Sequence, residues 1–195
     1  LIRLDSKLLT SELLITEGQL FELMARRGRL EAERDGVETI SFDPMLIEAA
    51  NQRPDVTGLI QGQERLFAAR KDSVARESEQ LDKRRGQILD QIKGIKAQQE
   101  SLRRQITLIS EELENQKSLL DRGLAQAGTV LNLERSSANL DGSLGELIAS
   151  EAQAEGRITE TDIEILKLGT RQREDAITRL RDLQYRELEL AEQRR

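Results

Sequence analysis

Eight apolar residues recur at intervals of seven without a break: Ile60, Phe67, Val74, Leu81, Ile88, Ile95, Leu102 and Ile109. A repeat of seven keeps its members on one helix face, and sustained over this many turns it demands a partner helix and left-handed supercoiling. Ile92, Ile106, Leu113 and Leu120 supply the companion seam position in the distal half. Nearer the start the companions are polar: Glu64, Lys71, Ser78 and Arg85. There the seam is thin, and the pattern predicts looser packing or cover from another helix.

The partner is found downstream. Val130, Leu133, Leu140, Leu144 and Leu147 restart the stripe, and Ala176, Leu183 and Leu190 carry it at the end. Between them, EAQAEGRITETD offers small and polar residues, so a kink or register skip is expected near Gly156, with Thr159 to Asp162 able to cap a fresh helical segment. Two stretches of about 65 residues each would reach roughly 100 Å at 1.5 Å per residue. The intervening LLDRGLAQAGTV is too short for anything but an antiparallel return. The second helix therefore spans about 57–122, and a long hairpin occupies 57–195 with its tip near 122–129. Phe67, Val74, Leu81, Ile88, Ile95, Leu102 and Ile109 face Leu133, Leu140 and Leu147 in its seam.

At the tip, Gly123 supplies a positive φ where the second helix ends, and Gly128 or Thr129 lies near the start of the next. Leu124, between Gly123 and Ala125, has no evident place in a core. An apolar side chain at an exposed turn points to contact with another molecule.

Ahead of the hairpin, Leu9, Leu13, Leu20, Leu23 and Leu30 share one helix face over 6–35, which Gly36 ends. Residues 36–56 contain both prolines and lose the heptad. They read as a connector with one short helix, Pro44 to Asn51, capped by Asp43 and closed by Pro54. The fold class is all-α: an elongated antiparallel coiled-coil hairpin, with the first helix making a three-helix base.

Composition removes several function classes. The chain has no histidine and no cysteine, and only 2% of its residues are aromatic. Thiol chemistry, disulfides and cysteine-held zinc are thereby excluded, and a narrow helical seam offers no water-excluding pocket for catalysis. No cofactor or metal is expected, and Glu111, Glu112 and Glu114 read as helix-surface charges. Thirty basic and 36 acidic residues are interspersed, so no basic stripe faces a phosphate backbone and nucleic-acid binding is not expected. No run of 18 apolar residues crosses a membrane. The opening LIRLD begins in mid-pattern without methionine, which reads as a segment of a longer protein whose membrane attachment lies elsewhere.

Three stretches carry a family resemblance: ARRGRLEAERDG at Ala25 to Gly36, LERSSANLDGSLGEL at Leu133 to Leu147, and LRDLQYRELELAEQRR at Leu180 to Arg195. In this order and spacing they resemble the helical region of HlyD-family membrane fusion proteins, the periplasmic adaptors of type I secretion systems. The opening residues 1–5 are similar to the strand leaving the first half of that family's lipoyl domain. The resemblance implies an adaptor anchored in the inner membrane beside an ABC transporter, self-associated as a ring of commonly six copies, with its hairpin tip meeting a TolC-like outer-membrane channel. It places the docking contacts at Asn115, Leu119 and Gln126, together with Arg122, Gly123 and Leu124 of the turn. The family's tip pattern is Arg, Leu and Ser at the first three of these positions, and only Leu119 matches. A structural spacer of the cytoskeletal or chromosome-organising kind, whose tip is merely a turn, is the alternative reading of the same heptads.

Overall fold

The computed structural model describes residues 6–193, which form four helices: α1 (Ser6–Asp35), α2 (Pro44–Gln52), α3 (Pro54–Asp121) and α4 (Ala127–Gln193). No strand occurs among the described residues. The strand remnant expected over 1–5 lies outside them, and so does the side chain of Leu9.

Local chemistry sets the helix ends. Gly36 takes a φ of 67° after α1, with its own amide and that of Val37 both donating to the Ala32 carbonyl. Asp43 caps α2 by accepting from the Met45 amide at 2.9 Å, with Pro44 in the first turn. Pro54 opens α3 where the sequence reading had it closing the connector. A proline at the first helical position forfeits a hydrogen bond that the helix could not make anyway, so the same residue serves as a start.

Contacts divide the chain into two compact units, residues 1–79 with 165–195, and residues 80–164. In the first, α1 lies parallel to α3 and antiparallel to α4. Arg29 Nε donates to Gln63 Oε1 at 2.7 Å, and Arg70 pairs with Glu33 at 3.2 Å, while Arg27 reaches Glu187 of α4 at 2.5 Å. Leu20, Phe21, Met24 and Ala25 pack with Leu46 and Val56, and Leu30 packs with Ala176, Leu180 and Leu183. Each fully buried Leu, Phe or Met contributes about 1.5–3 kcal/mol. The thin early seam of α3 is thus covered by α1, through Gln63 and Arg70 in place of Glu64 and Lys71, which are exposed. Arg53 lies 5.5 Å from the centre of the Phe21 ring. Gly28 is needed where the connector crosses α1, since a Cβ there would sit 2.9 Å from the Phe42 ring and 3.2 Å from the Ser41 carbonyl.

Two expectations for α1 change. Its buried set is wider than the leucine stripe, because a helix packed against α3 on one side and α4 on another cannot be covered by a single row. Phe21, Met24, Ala25 and Ala32 are buried with Leu20 and Leu30, whereas Leu13 is exposed.

The second unit is an antiparallel pair. Arg85 to Asp162 at 3.0 Å, Lys96 to Glu151 at 3.1 Å and Lys117 to Glu134 at 2.7 Å record numbers rising on α3 as they fall on α4. Ile88 and Ile92 pack on Ala154 and Ile158. Every seam residue expected on α3 from Phe67 to Ile109, and Leu133, Leu140 and Leu147 on α4, is buried or half-buried.

The register skip expected near Gly156 does not occur there. Helix α4 is continuous, and the buried or half-buried positions Leu147, Glu151, Ala154, Ile158, Thr161, Ile165 and Leu168 keep the alternation of three and four. Thr161, 2% exposed, satisfies its hydroxyl on the Arg157 carbonyl at 2.9 Å instead of capping a new segment. The register shifts later, where Gln172, Ala176 and Leu180 follow one another at intervals of four. With Leu168 before them these make three intervals of four in a row, the spacing of one residue added to the repeat, which locally unwinds a supercoil.

Candidate functional site

The turn between α3 and α4 is closed by backbone chemistry alone. The Leu124 amide donates to the Leu119 carbonyl at 2.9 Å, and the Gly123 amide donates to the Leu120 carbonyl at 2.9 Å. This pair of bonds, with Gly123 at φ 73°, is the Schellman ending of a helix. No atom lies within 4 Å of a Cβ built on Gly123, so its backbone angle and not crowding calls for glycine. The Thr129 amide then donates to the Gln126 carbonyl at 3.0 Å as α4 begins.

Beneath the turn, Val130 is 7% exposed, Leu119 and Leu120 are half-buried, and the Lys117 to Glu134 pair braces the two helices. Above it, Leu124 is 72% exposed. An apolar residue at its position commonly folds back on the residue five before it, here Leu119. Most of this leucine instead faces solvent, so its contribution to folding is small.

Of the residues expected to act at the tip, Arg122, Gly123, Leu124 and Gln126 sit together on the turn, all exposed, with Leu119 half-buried below them. Asn115 is exposed and lies one helical turn further down α3 than Leu119. The Arg122 guanidinium makes a 3.3 Å hydrogen bond to Ser118 Oγ. Sequence reasoning overlooked Leu131, 52% exposed in the second turn of α4. Its signal was available: two adjacent apolar residues, Val130 and Leu131, cannot both face one seam.

Elsewhere the first unit has a groove of about 400 Å³ floored by Leu23, Leu30 and Leu183. Three of its four lining arginines are already engaged, Arg26 by Glu22, Arg29 by Glu33 and Arg179 by Asp175. Among the described residues no group of three or more acidic side chains could hold a metal ion. No described helix is long and apolar enough to cross a membrane.

Two long helices closed by a glycine-ended turn follow a shorter helix and a capped connector. The chain belongs to the AprE long alpha-helical hairpin family, whose model matches residues 9–195. It is 36% identical over 194 residues to the type I secretion system membrane fusion protein PrsE of Rhizobium meliloti (strain 1021), an alignment that takes in 100% of this chain and 44% of PrsE. The chain thus spans less than half the length of that relative. The crystal structure of the soluble domain of LipC, a membrane fusion protein of a type I secretion system, matches with a TM-score of 0.91 at 23% identity, covering 100% of this chain and 91% of that chain. At that identity what is shared is the fold.

Proposed function

We propose that this chain is the helical hairpin of a periplasmic adaptor for type I protein secretion, and that the turn 122–126 is its working end. In this reading the complete protein is anchored in the inner membrane beside an ABC transporter and assembles as a ring, commonly of six copies. Its turn meets a TolC-like outer-membrane channel. The hairpin does no chemistry of its own; it sets distance and presents a contact surface.

The observation that carries the reading is Leu124, which is 72% exposed on a turn whose backbone is already satisfied. Folding has no use for this side chain, and a desolvated contact with a second protein does. Arg122, Gln126, Asn115 and Leu131 would surround that contact, with Leu119 setting the turn beneath it.

The test is secretion by cells whose only adaptor carries Leu124→Asp, beside cells carrying Ile95→Asp. A carboxylate forced into an apolar contact costs several kcal/mol unless paired. Leu124→Asp is expected to stop export while leaving adaptor level and helical content unchanged. Ile95, 8% exposed, lies in the seam; its replacement is expected to lower stability first and export in consequence. Normal export by Leu124→Asp at normal adaptor level would reduce the turn to a connection.

A further inference from the structure

One guanidinium joins three parts of the first unit. Arg27 of α1 places Nη1 2.5 Å from Glu187 of α4 and Nη2 2.8 Å from Asp43 of the connector, with Glu31 3.9 Å from its Nε. Asp43 has a second task, since its other oxygen caps α2 through the Met45 amide. Three carboxylates therefore share one cation, and the side chain of Glu187 is only 14% exposed. Two of them sit on neighbouring nitrogens of the same planar fork, so they are also close to each other.

We propose that Arg27, Asp43 and Glu187 form a pH-responsive latch that holds the last turns of α4 to α1 and the connector, tightening as pH falls and loosening as it rises. The direction is the reverse of a simple salt bridge, which weakens when its carboxylate is protonated. Burial pushes the Glu187 carboxyl above the ordinary glutamic acid range, against the pull of Arg27, and the charges of Asp43 and Glu31 push it the same way. The charged groups that face it are Arg27 and Glu31 from α1 and Asp43 from the connector. A carboxyl that holds its proton more firmly when folded than when unfolded adds stability that is complete below the unfolded value. That stability is lost as pH rises through the folded one. Protonation leaves Arg27 to Asp43 and removes one of two adjacent like charges. The inference concerns the fold of this unit and does not depend on the adaptor reading.

Amide hydrogen exchange of the chain, corrected for intrinsic rates, reads the latch where it acts. Between about pH 7.5 and about pH 5 the amides of 184–190 are expected to slow severalfold in the unmodified protein. Glu187→Gln, neutral at both values and able to donate, is expected to show the slow rates at both. Slower opening at acid pH in the unmodified protein but not in the variant supports the latch. Faster exchange on acidification, or looser packing in Glu187→Gln at neutral pH, would show an ordinary ion pair and overturn it. A carbon-detected titration of Glu187 decides independently of stability: a midpoint above that of a free glutamate, sensed by the Met45 amide, is expected. A midpoint at or below it contradicts the proposal.

Discussion

Removing the carboxylate of Glu33 should be among the most damaging single changes available in the first unit. Arg29 and Glu33 are 5% and 4% exposed, one turn apart on α1, with Arg29 Nη1 2.5 Å from Glu33 Oε1. The other Glu33 oxygen meets Arg70 of α3 at 3.2 Å. Glu33→Ala would leave Arg29 buried with Gln63 as its neutral partner, and an uncompensated buried charge costs about 3–5 kcal/mol. Arg70 is half-buried and retains Asp175 at 3.7 Å, so it adds little to that figure. A loss of this size corresponds to a fall of roughly 10–20 °C in the melting temperature of a unit this small. The control is the double variant Arg29→Met/Glu33→Leu, which fills the same space without charge and should be neutral or stabilising by about 1–4 kcal/mol. Thermal and urea unfolding followed by far-ultraviolet circular dichroism measures all three proteins. A Glu33→Ala cost below about 1 kcal/mol, the range of exposed pairs, would refute the reasoning, as would a double variant no more stable than Glu33→Ala.

In the second unit, Ile92→Ala removes a side chain 6% exposed against Ile88, Ala154 and Ile158, and should cost about 2–5 kcal/mol in urea unfolding; a cost near zero would mean the helices close the gap. Hydrogen bonds from Gln99 and then Lys96 hold the Glu151 carboxyl below its ordinary range. Its contribution is therefore present at neutral pH and lost as pH falls through the folded value, so Glu151→Gln should flatten the acid limb of stability between about pH 5 and about pH 3. An unchanged acid limb would remove Glu151 from the account.

The parts of this fold legible in the sequence are those fixed by neighbours along the chain. The α3 seam from Phe67 to Ile109 needs only the helical repeat, Gly123 only the positive φ of a Schellman turn, and Asp43 with Pro44 only the chemistry of a helix start. What escaped depends on neighbours distant in sequence. Ala154 is a seam residue because Ile88 and Ile92 of α3 pack over it, and Thr161 can be buried because its hydroxyl is satisfied within α4. The register change at Gln172 to Leu180 was displaced by some twenty residues in the reading for the same reason. The buried pair Arg29 and Glu33 looks like ordinary surface charge until α3 is laid against α1 and supplies Gln63 and Arg70. At the tip, the glycine and the stranded leucine were visible, whereas the companion Leu131 was masked by its neighbour Val130.

Site-specific photocrosslinking from position 124 during active secretion tests the working-end assignment most directly. A photoreactive residue replaces Leu124 in the full-length adaptor, and the same residue replaces Leu108, which is 66% exposed on α3, as a control for exposure alone. The account predicts an adduct between position 124 and an outer-membrane channel protein, absent from position 108 and lost when the channel is deleted. Adducts from position 124 only to other copies of the adaptor, or none at all while export proceeds, would contradict it.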